Sequence, residues 1–369
     1  MNKQRTILVL TNNIGGLHSF RKEVIRALRE KSYDVVISAP DDDVRKNYFQ
    51  ALGCSIVKTN FNRRGKNAIA DVILLLDYLR LMRKLHPVAV LSYTIKPNIY
   101  GGIASRLMHI PQLANITGLG DAIENGGFLQ HLTLCLYRVG ISKAHKVFFQ
   151  NTDNKALFIE KKIVGKNSIL LPGSGVNLEF HRLQPYPGDS QSIKFLFVGR
   201  LLKDKGIEEY FRMAEIIKKQ YPSVEFHILG ACDGDYEKQL DSLTAEGIVK
   251  YYGTTSDVRP FLTDIHCTIM PSYHEGMSNV NLESSANGRP VITTDVPGCR
   301  ETVEDNVTGF LVAPKDSGSL INAVLKFLHL PYESKCRMGL AAREKMEKQF
   351  NREIVVSEYL KALVDFGVG

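Results

Sequence analysis

Glu275 and Glu283 stand with seven residues between them in the stretch Pro271-Ser-Tyr-His-Glu-Gly-Met-Ser-Asn-Val-Asn-Leu-Glu283. The spacing predicts one carboxylate in a loop and the other about two turns into a helix that begins near Ser278. Carboxylates accept hydrogen bonds from sugar and ribose hydroxyls, and the N–H groups of Gly276, Met277 and Ser278 at a helix start suit phosphate oxygens. The same residues would serve equally as a helix cap with Glu283 on a solvated face. Upstream, Gly199-Arg-Leu-Leu-Lys-Asp-Lys-Gly206 places Arg200 and Lys205 between a strand and a helix. There guanidinium and ammonium can neutralise a diphosphate together, and the competing reading is a solvated basic loop with Asp204 as a cap. A third element, Thr11-Asn-Asn-Ile-Gly-Gly-Leu-His18, puts Gly15 and Gly16 after the first strand and before a helix expected near Ser19. Such a turn lets the backbone approach a phosphate or is an ordinary tight connection.

These residues need elements to hold them. Short β-rich runs at 7–10, 35–38, 55–58, 88–92, 112–115 and 147–150 each precede a turn signal and a stretch of helical period. The pattern restarts at 194–198 and continues through 224–229, 249–252, 267–270, 291–294 and 310–312. Strand–helix alternation of this kind gives parallel sheets covered by helices, so the fold class is α/β with two doubly wound, Rossmann-like domains. Leu183-Gln-Pro-Tyr-Pro-Gly-Asp-Ser190 breaks helix and central strand alike. The expected division is therefore 1–182, a linker at 183–192, and 193–369. Helical spacing follows beyond residue 317, and a last helix at about 351–366 is expected to cross back onto the first domain. Ligands favour the carboxyl ends of such sheets and domain interfaces, which places the expected site in a cleft between facing domains.

Composition narrows the class. With 369 residues and 44% hydrophobic side chains the chain can fill two or three cores, which excludes disorder and a collagen-like fibre. Its 47 Lys+Arg against 39 Asp+Glu leave a net charge of +8, consistent with an anionic partner. The six cysteines form no CxxC pair and lie more than thirty residues apart, as expected of reduced thiols in a cytoplasmic protein rather than zinc ligands. The apolar run after the basic start is too short for a signal-peptide core, and Val72-Ile-Leu-Leu-Leu76, fenced by Asp71 and Asp77, is too short to span a bilayer. Membrane contact is expected to be peripheral. No GxGxxG occurs, since Gly118-Leu-Gly120 and Gly173-Ser-Gly175 lack the third glycine, which speaks against an NAD-dependent oxidoreductase.

Taken together, the loop at 199–206, the Glu275-Gly276…Glu283 arrangement, and Val296-Pro-Gly-Cys-Arg-Glu-Thr-Val-Glu-Asp-Asn-Val-Thr-Gly-Phe-Leu-Val312 resemble the retaining family-four glycosyltransferases of GT-B fold. The resemblance covers essentially the whole chain. It implies that Arg200 and Lys205, with Gly199, bind the donor diphosphate, that Glu275 meets the transferred sugar, and that Glu283 holds the nucleotide ribose. Gly16 would lie near the donor phosphates, with Gly276, Met277 and Ser278 also on the donor. Where many members carry a histidine, this chain has Asn115-Ile-Thr-Gly-Leu-Gly120; Thr117 can hydrogen-bond a sugar but cannot supply imidazole chemistry.

Within the family, Ser92-Tyr-Thr-Ile-Lys-Pro-Asn-Ile-Tyr-Gly101 is similar to N-acetylgalactosaminyltransferases that extend undecaprenyl-diphosphate-linked sugars in surface polysaccharide synthesis, such as O-antigen and capsule. That likeness sets Lys96 near the acceptor diphosphate. The cluster around Arg63 and Arg64 either meets the anionic inner face of the membrane and its acceptor or is a solvated basic loop. The implied reaction is retaining transfer from a UDP-sugar, needing no cofactor, no metal and no nucleic acid. A nucleotide-sugar epimerase of the same fold, a nicotinamide-dependent dehydrogenase and a silent binding protein are the rivals.

Overall fold

The computed structural model describes residues 5–40, 44–59, 67–119, 127–189, 192–232 and 234–365. Arg63, Arg64 and Gly120 lie outside them. The chain divides into two compact units, Met1–Ser174 with Arg352–Gly369, and Gly175–Asn351.

In the first unit seven parallel strands carry the alternation read from the sequence: β1 (Thr6–Leu10), β2 (Asp34–Ala39), β3 (Ser55–Lys58), β4 (Ala89–Tyr93), β5 (Gln112–Ile116), β6 (Lys146–Phe149) and β7 (Ser168–Leu170). Their order is β3-β2-β1-β4-β5-β6-β7, so the chain reverses direction across the sheet between β1 and β4, the place where open sheets receive ligands. Strands β1 and β4 are buried along their whole length, which is why they read as unbroken apolar runs rather than alternating ones. The three-residue edge strand β7 escapes sequence reading because its half-exposed Ser-Ile-Leu carries no period.

The second unit holds six parallel strands, β8 (Lys194–Val198), β9 (Glu225–Leu229), β10 (Val249–Tyr251), β11 (Cys267–Met270), β12 (Val291–Thr294) and β13 (Gly309–Val312). They are ordered β10-β9-β8-β11-β12-β13, with the reversal between β8 and β11. Phe195, Phe197, Tyr210, Phe211, Phe226 and Phe327 fill one face of this sheet as a single buried cluster.

The final helix, Arg352–Val364, belongs to the first unit, as expected of a closing helix. Val355, Tyr359 and Leu363 enter the same core as Leu17 and Val24 of the helix Ile14–Glu30. Tyr359 stacks on Phe148 with centroids 4.7 Å apart and donates to Asn115 Oδ1. Arg352 Nη1 meets Glu23 Oε2 at 3.0 Å with both side chains 8% exposed.

The segment at 183–189, read as the connection between domains, lies inside the second unit, and the crossings fall at 174–175 and 351–352. The reason is Arg289, fully buried. Its guanidinium donates to the carbonyls of Pro185 (2.9 Å), Leu262 (2.8 Å) and Thr263 (3.0 Å), while Tyr186 donates to His266 O at 2.8 Å. Burial draws the Arg289 guanidinium down to about 10. Proline-rich backbone that cannot join a ladder is thus fastened by one side chain rather than left as a free tether.

Candidate functional site

The second unit gathers its chemistry at the carboxyl ends of β8 and β11, the two strands that flank its reversal. After β8 the chain passes Gly199 and Arg200, makes a 3-10 turn at Lys203–Lys205, and enters the helix Ile207–Gln220. Gly206 joins turn to helix in the left-handed region, at φ +72°, and a Cβ there would stand 2.1 Å from the carbonyl oxygen of Pro271. Only glycine lets this turn lie against the loop that follows β11. Tyr273 N–H donates to Asp204 O at 2.9 Å, stitching the two loops from the other side.

The closeness of the loops makes an ion pair. Lys205 Nζ lies 2.7 Å from Glu275 Oε1, and Ser272 Oγ donates to the same oxygen at 2.9 Å. The side chains of Lys205 and Glu275 are 18% and 17% exposed, so water screens the pair only in part. An ammonium has three donors; one is taken by Glu275, and the charge is held in place for an anion. Arg200, by contrast, is exposed and forms no ion pair with a described residue. The two cations that the spacing suggested as one clamp therefore differ: Lys205 is positioned, Arg200 is at the mouth of its loop.

Glu275 is further fixed by its own backbone. Its N–H donates to Pro297 O at 3.3 Å and Ser278 N–H donates to Gly298 O at 2.7 Å. Gly298, at φ +81°, packs so tightly that a Cβ would come 2.3 Å from Glu275 O, and Glu301 Oε2 accepts from Gly298 N–H at 2.8 Å. The amide of Ser278 is thereby spent within the fold rather than offered to phosphate, a correction to the sequence reading. Ser278 instead caps the helix Asn279–Ala286 through its side chain, accepting from Asn281 N–H. Met277 is buried in one cluster with Val176, Leu282 and Phe350, so its side chain holds the loop to the core. Next to the loop, burial pushes the Cys299 thiol up to about 12, with the charge of Glu275 adding to it.

Glu283 sits on the helix that Ser278 caps, with its side chain 26% exposed and Oε1 3.9 Å from His181 Nε2. That helix directly follows the loop that carries Glu275. Gly199 is held by its N–H to Leu229 O (2.8 Å) and by the close approach of Gly230.

The first unit brings its own expected residues to one sheet edge, at the carboxyl ends of the neighbouring strands β1, β4 and β5. The helix after β1 begins at Ile14 rather than near Ser19, because Asn13 caps it: Asn13 Oδ1 accepts from Gly16 N–H at 3.1 Å. Gly16 thus lies in the first turn with that amide already engaged. Thr117 follows β5 and is half-buried. Lys96 opens the helix Ile95–Leu107, where its Nζ meets Asp71 Oδ1 at 2.6 Å and Tyr100 donates to Asp71 Oδ2 at 2.9 Å. Thr94, just before that helix, stands at φ +75° with a buried hydroxyl, a strained position for a β-branched residue that no residue pattern marks. Ser272, Gly298 and Glu301 also went unread as site residues; the Pro-Gly in the 296–312 stretch carried a usable signal for Gly298, whereas Ser272 has none. Among the described residues no group of three histidine, cysteine or acidic side chains could hold a metal ion.

Comparison with known proteins bears on both units. Residues 184–345 match the family model described as glycosyl transferases group 1, and residues 7–151 match the one described as glycosyl transferase 4-like. The N,N'-diacetylbacillosaminyl-diphospho-undecaprenol alpha-1,3-N-acetylgalactosaminyltransferase of Campylobacter jejuni is 24% identical over 365 residues, 94% of each chain. The capsular polysaccharide biosynthesis glycosyltransferase CapM of Staphylococcus aureus is 26% identical over 90% of each. Among solved structures, Anabaena HepE in complex with UDP and glucose superposes with a TM-score of 0.77 at 18% identity, covering 97% of this chain and 99% of that one. That likeness is one of fold. None of these matches favours the dehydrogenase or the epimerase.

Proposed function

As a member of the two glycosyl transferase families that match its halves, the chain is a glycosyltransferase, and we propose that it moves a sugar from a UDP-sugar to an undecaprenyl-diphosphate-linked acceptor. The sugar is read as N-acetylgalactosamine or another hexosamine or hexose, and its anomeric configuration as retained. The observation that carries this reading is the Lys205–Glu275 pair, a charge-fixed cation and a carboxylate set side by side on facing loops at the sheet reversal. Departure of UDP builds negative charge on the diphosphate. A preplaced ammonium stabilises that charge most as the bond breaks, and Arg200 adds an exposed guanidinium from the edge of the same loop. These two cations take the neutralising role that a divalent metal plays elsewhere, so transfer is read as metal-independent.

Glu275, adjacent to Lys205, accepts from hydroxyls of the transferred sugar, and Glu283, further along the capped helix, from those of the ribose. Gly199, Gly276 and Met277 contribute backbone around the donor, while Ser278 holds the helix start that carries Glu283; Gly16 and Thr117 stand at the edge of the first sheet for the donor phosphates and sugar. Support for the acceptor comes from the Campylobacter relative, whose name specifies a diphospho-undecaprenol-linked sugar and which matches along nearly its full length. On this reading Lys96 serves the acceptor diphosphate, the basic cluster that holds Arg63 and Arg64 in the sequence is assigned to the acceptor and the anionic membrane, and the enzyme works at the cytoplasmic face. No helix among the described residues is long and apolar enough to cross a bilayer.

A thermal-shift panel with UDP, GDP, ADP and NAD tests the donor assignment. At 100 times its dissociation constant a ligand adds about 2.7 kcal/mol, so UDP is expected to raise the transition of the second unit, and Lys205→Ala to abolish the shift. Stabilisation by NAD alone, or by no nucleotide, overturns the assignment.

A further inference from the structure

His181 is far from Glu283 in the sequence and beside it in the second unit, with Nε2 3.9 Å from Glu283 Oε1. The histidine is buried, at 6% exposure, and both its backbone and its ring are held. Its N–H donates to Asn177 O at 2.8 Å, and Phe180 sets a ring edge-on to it with centroids 5.1 Å apart. Arg343 Nη1 donates to His181 O at 2.7 Å and to Ala286 O at 2.8 Å. One guanidinium nitrogen therefore ties the histidine to the end of the helix that carries Glu283.

The hydrogen bond at the other ring nitrogen decides what Nε2 can do. Asn287 Nδ2 donates to Glu283 O at 2.7 Å and lies 3.1 Å from His181 Nδ1. A carbonyl partner identifies this end of the amide as its NH2, which has two donors, so the second donor meets Nδ1 and Nδ1 accepts. A neutral imidazole that accepts through one nitrogen carries its proton on the other. Nε2–H is thus the group that faces the Glu283 carboxylate.

At 3.9 Å this N–H is a dipole aimed at a charge rather than a closed hydrogen bond. Its effect is on orientation. The Glu283 side chain is 26% exposed, and a glutamate at a helix surface has several rotamers that lead into solvent. A fixed donor beside Oε1 favours one of them. A carboxylate has about four lone-pair sites, so the remaining ones stay open to a ligand.

We propose that His181 is a positioning residue for the donor nucleotide: its Nε2–H orients the Glu283 carboxylate so that it accepts both ribose hydroxyls together, and so sets the preference for a ribonucleotide over its deoxy counterpart. The inference rests on the assignment of Glu283 to the ribose in the proposed function, and adds a residue that acts through Glu283. A histidine that only fills the core would support stability and leave hydroxyl recognition untouched.

Titration calorimetry of the full chain with UDP and with 2′,3′-dideoxy-UDP reads the preference as a ratio of two dissociation constants. A lower folded fraction does not move that ratio. Fixing one rotamer-rich side chain is worth about three- to tenfold in affinity. His181→Phe, which keeps a ring and removes both nitrogens, should lower the ratio by that factor through weaker UDP binding, with dideoxy-UDP bound as by the wild type. His181→Gln, with an N–H near the place of Nε2, should recover most of it. Glu283→Ala should also lower the ratio, and His181→Phe added to it should lower it no further, because the histidine acts through the carboxylate. Should His181→Phe not fold, His181→Asn, which keeps an acceptor for Asn287 and withdraws the donor from Glu283, reads the same ratio.

Equal ratios for the wild type and the His181 variants, or full additivity of the His181 and Glu283 substitutions, overturn the proposal and leave Glu283 on the ribose. A wild type that binds UDP and its dideoxy analogue alike removes Glu283 from the ribose, and the proposal with it. No binding of UDP by the wild type refutes the donor of the proposed function itself and likewise ends the proposal.

Discussion

Gly206→Ala is the sharpest probe of how the site is held. The added methyl has two costs that the structure fixes separately. Backbone at φ +72° costs an L-residue roughly 1–2 kcal/mol. The Cβ would also stand 2.1 Å from Pro271 O and 2.7 Å from Pro271 C, where backbone cannot rotate away as a side chain would. Overpacking of this kind typically costs about 1–3 kcal/mol, so the second unit should lose about 2–5 kcal/mol. For a unit of this size that is a fall of roughly 5–15 °C in its transition. The clash also acts directionally, since it can be relieved only by parting the turn Lys203–Lys205 from the loop that bears Glu275. The 2.7 Å contact between Lys205 and Glu275 would open, and turnover should fall further than stability does. Calorimetry of the two transitions, with UDP release measured well below the lowered midpoint, separates the effects. Unchanged stability and unchanged turnover would refute the argument that these loops are pinned at Gly206.

Lys205→Ala and Glu275→Gln should each reduce turnover by about 10²–10³-fold, as for loss of one preorganised electrostatic partner, with circular dichroism unchanged; activity near wild type from either would remove it from the site. Arg200→Ala, at an exposed position, should cost less than Lys205→Ala in a steady-state comparison. Arg289→Met should lower the second unit's midpoint by several degrees in a thermal scan, because the carbonyls of Pro185, Leu262 and Thr263 lose their donor. Burial draws the His266 imidazole down to about 4, and His266 Nδ1 accepts from Lys194 N–H at 3.2 Å, so the folded state resists its protonation. The unfolded state then binds more protons between about pH 6.5 and 4, and the second unit's stability should be full above that window and fall as pH drops through it. His266→Gln should flatten this dependence in urea titrations at successive pH values.

Much of this architecture is legible in the residues because parallel sheets leave strong marks. Runs such as Ile-Leu-Val-Leu in β1 and Phe-Leu-Phe-Val in β8 are buried on both faces and stand out against the helical periods between them. Ser168-Ile-Leu at β7 leaves no such mark. The loops at 199–206 and 271–283 are legible as sites because glycine, cations and carboxylates concentrate between a strand and a helix. What they do to one another is not. That Lys205 reaches Glu275, while Arg200 stays in solvent, depends on contacts seventy residues apart and on Gly206 and Gly298 permitting close approach. The first helix begins five residues before the expected Ser19 because Asn13 caps it, its side chain taking the Gly16 amide. The Pro-rich segment at 183–189 misled for a related reason: prolines announce a break in secondary structure, and only Arg289, a hundred residues away, shows that the break is packed.

Transfer from a UDP-sugar to a lipid-diphosphate-linked sugar is measured most directly by UDP release from UDP-N-acetylgalactosamine with and without an undecaprenyl-diphosphate-linked sugar. Acceptor-dependent release, insensitive to chelator, with the new linkage in the α configuration by NMR, is the expected result. Release indifferent to the lipid-linked acceptor, or none from any UDP-sugar, would contradict it.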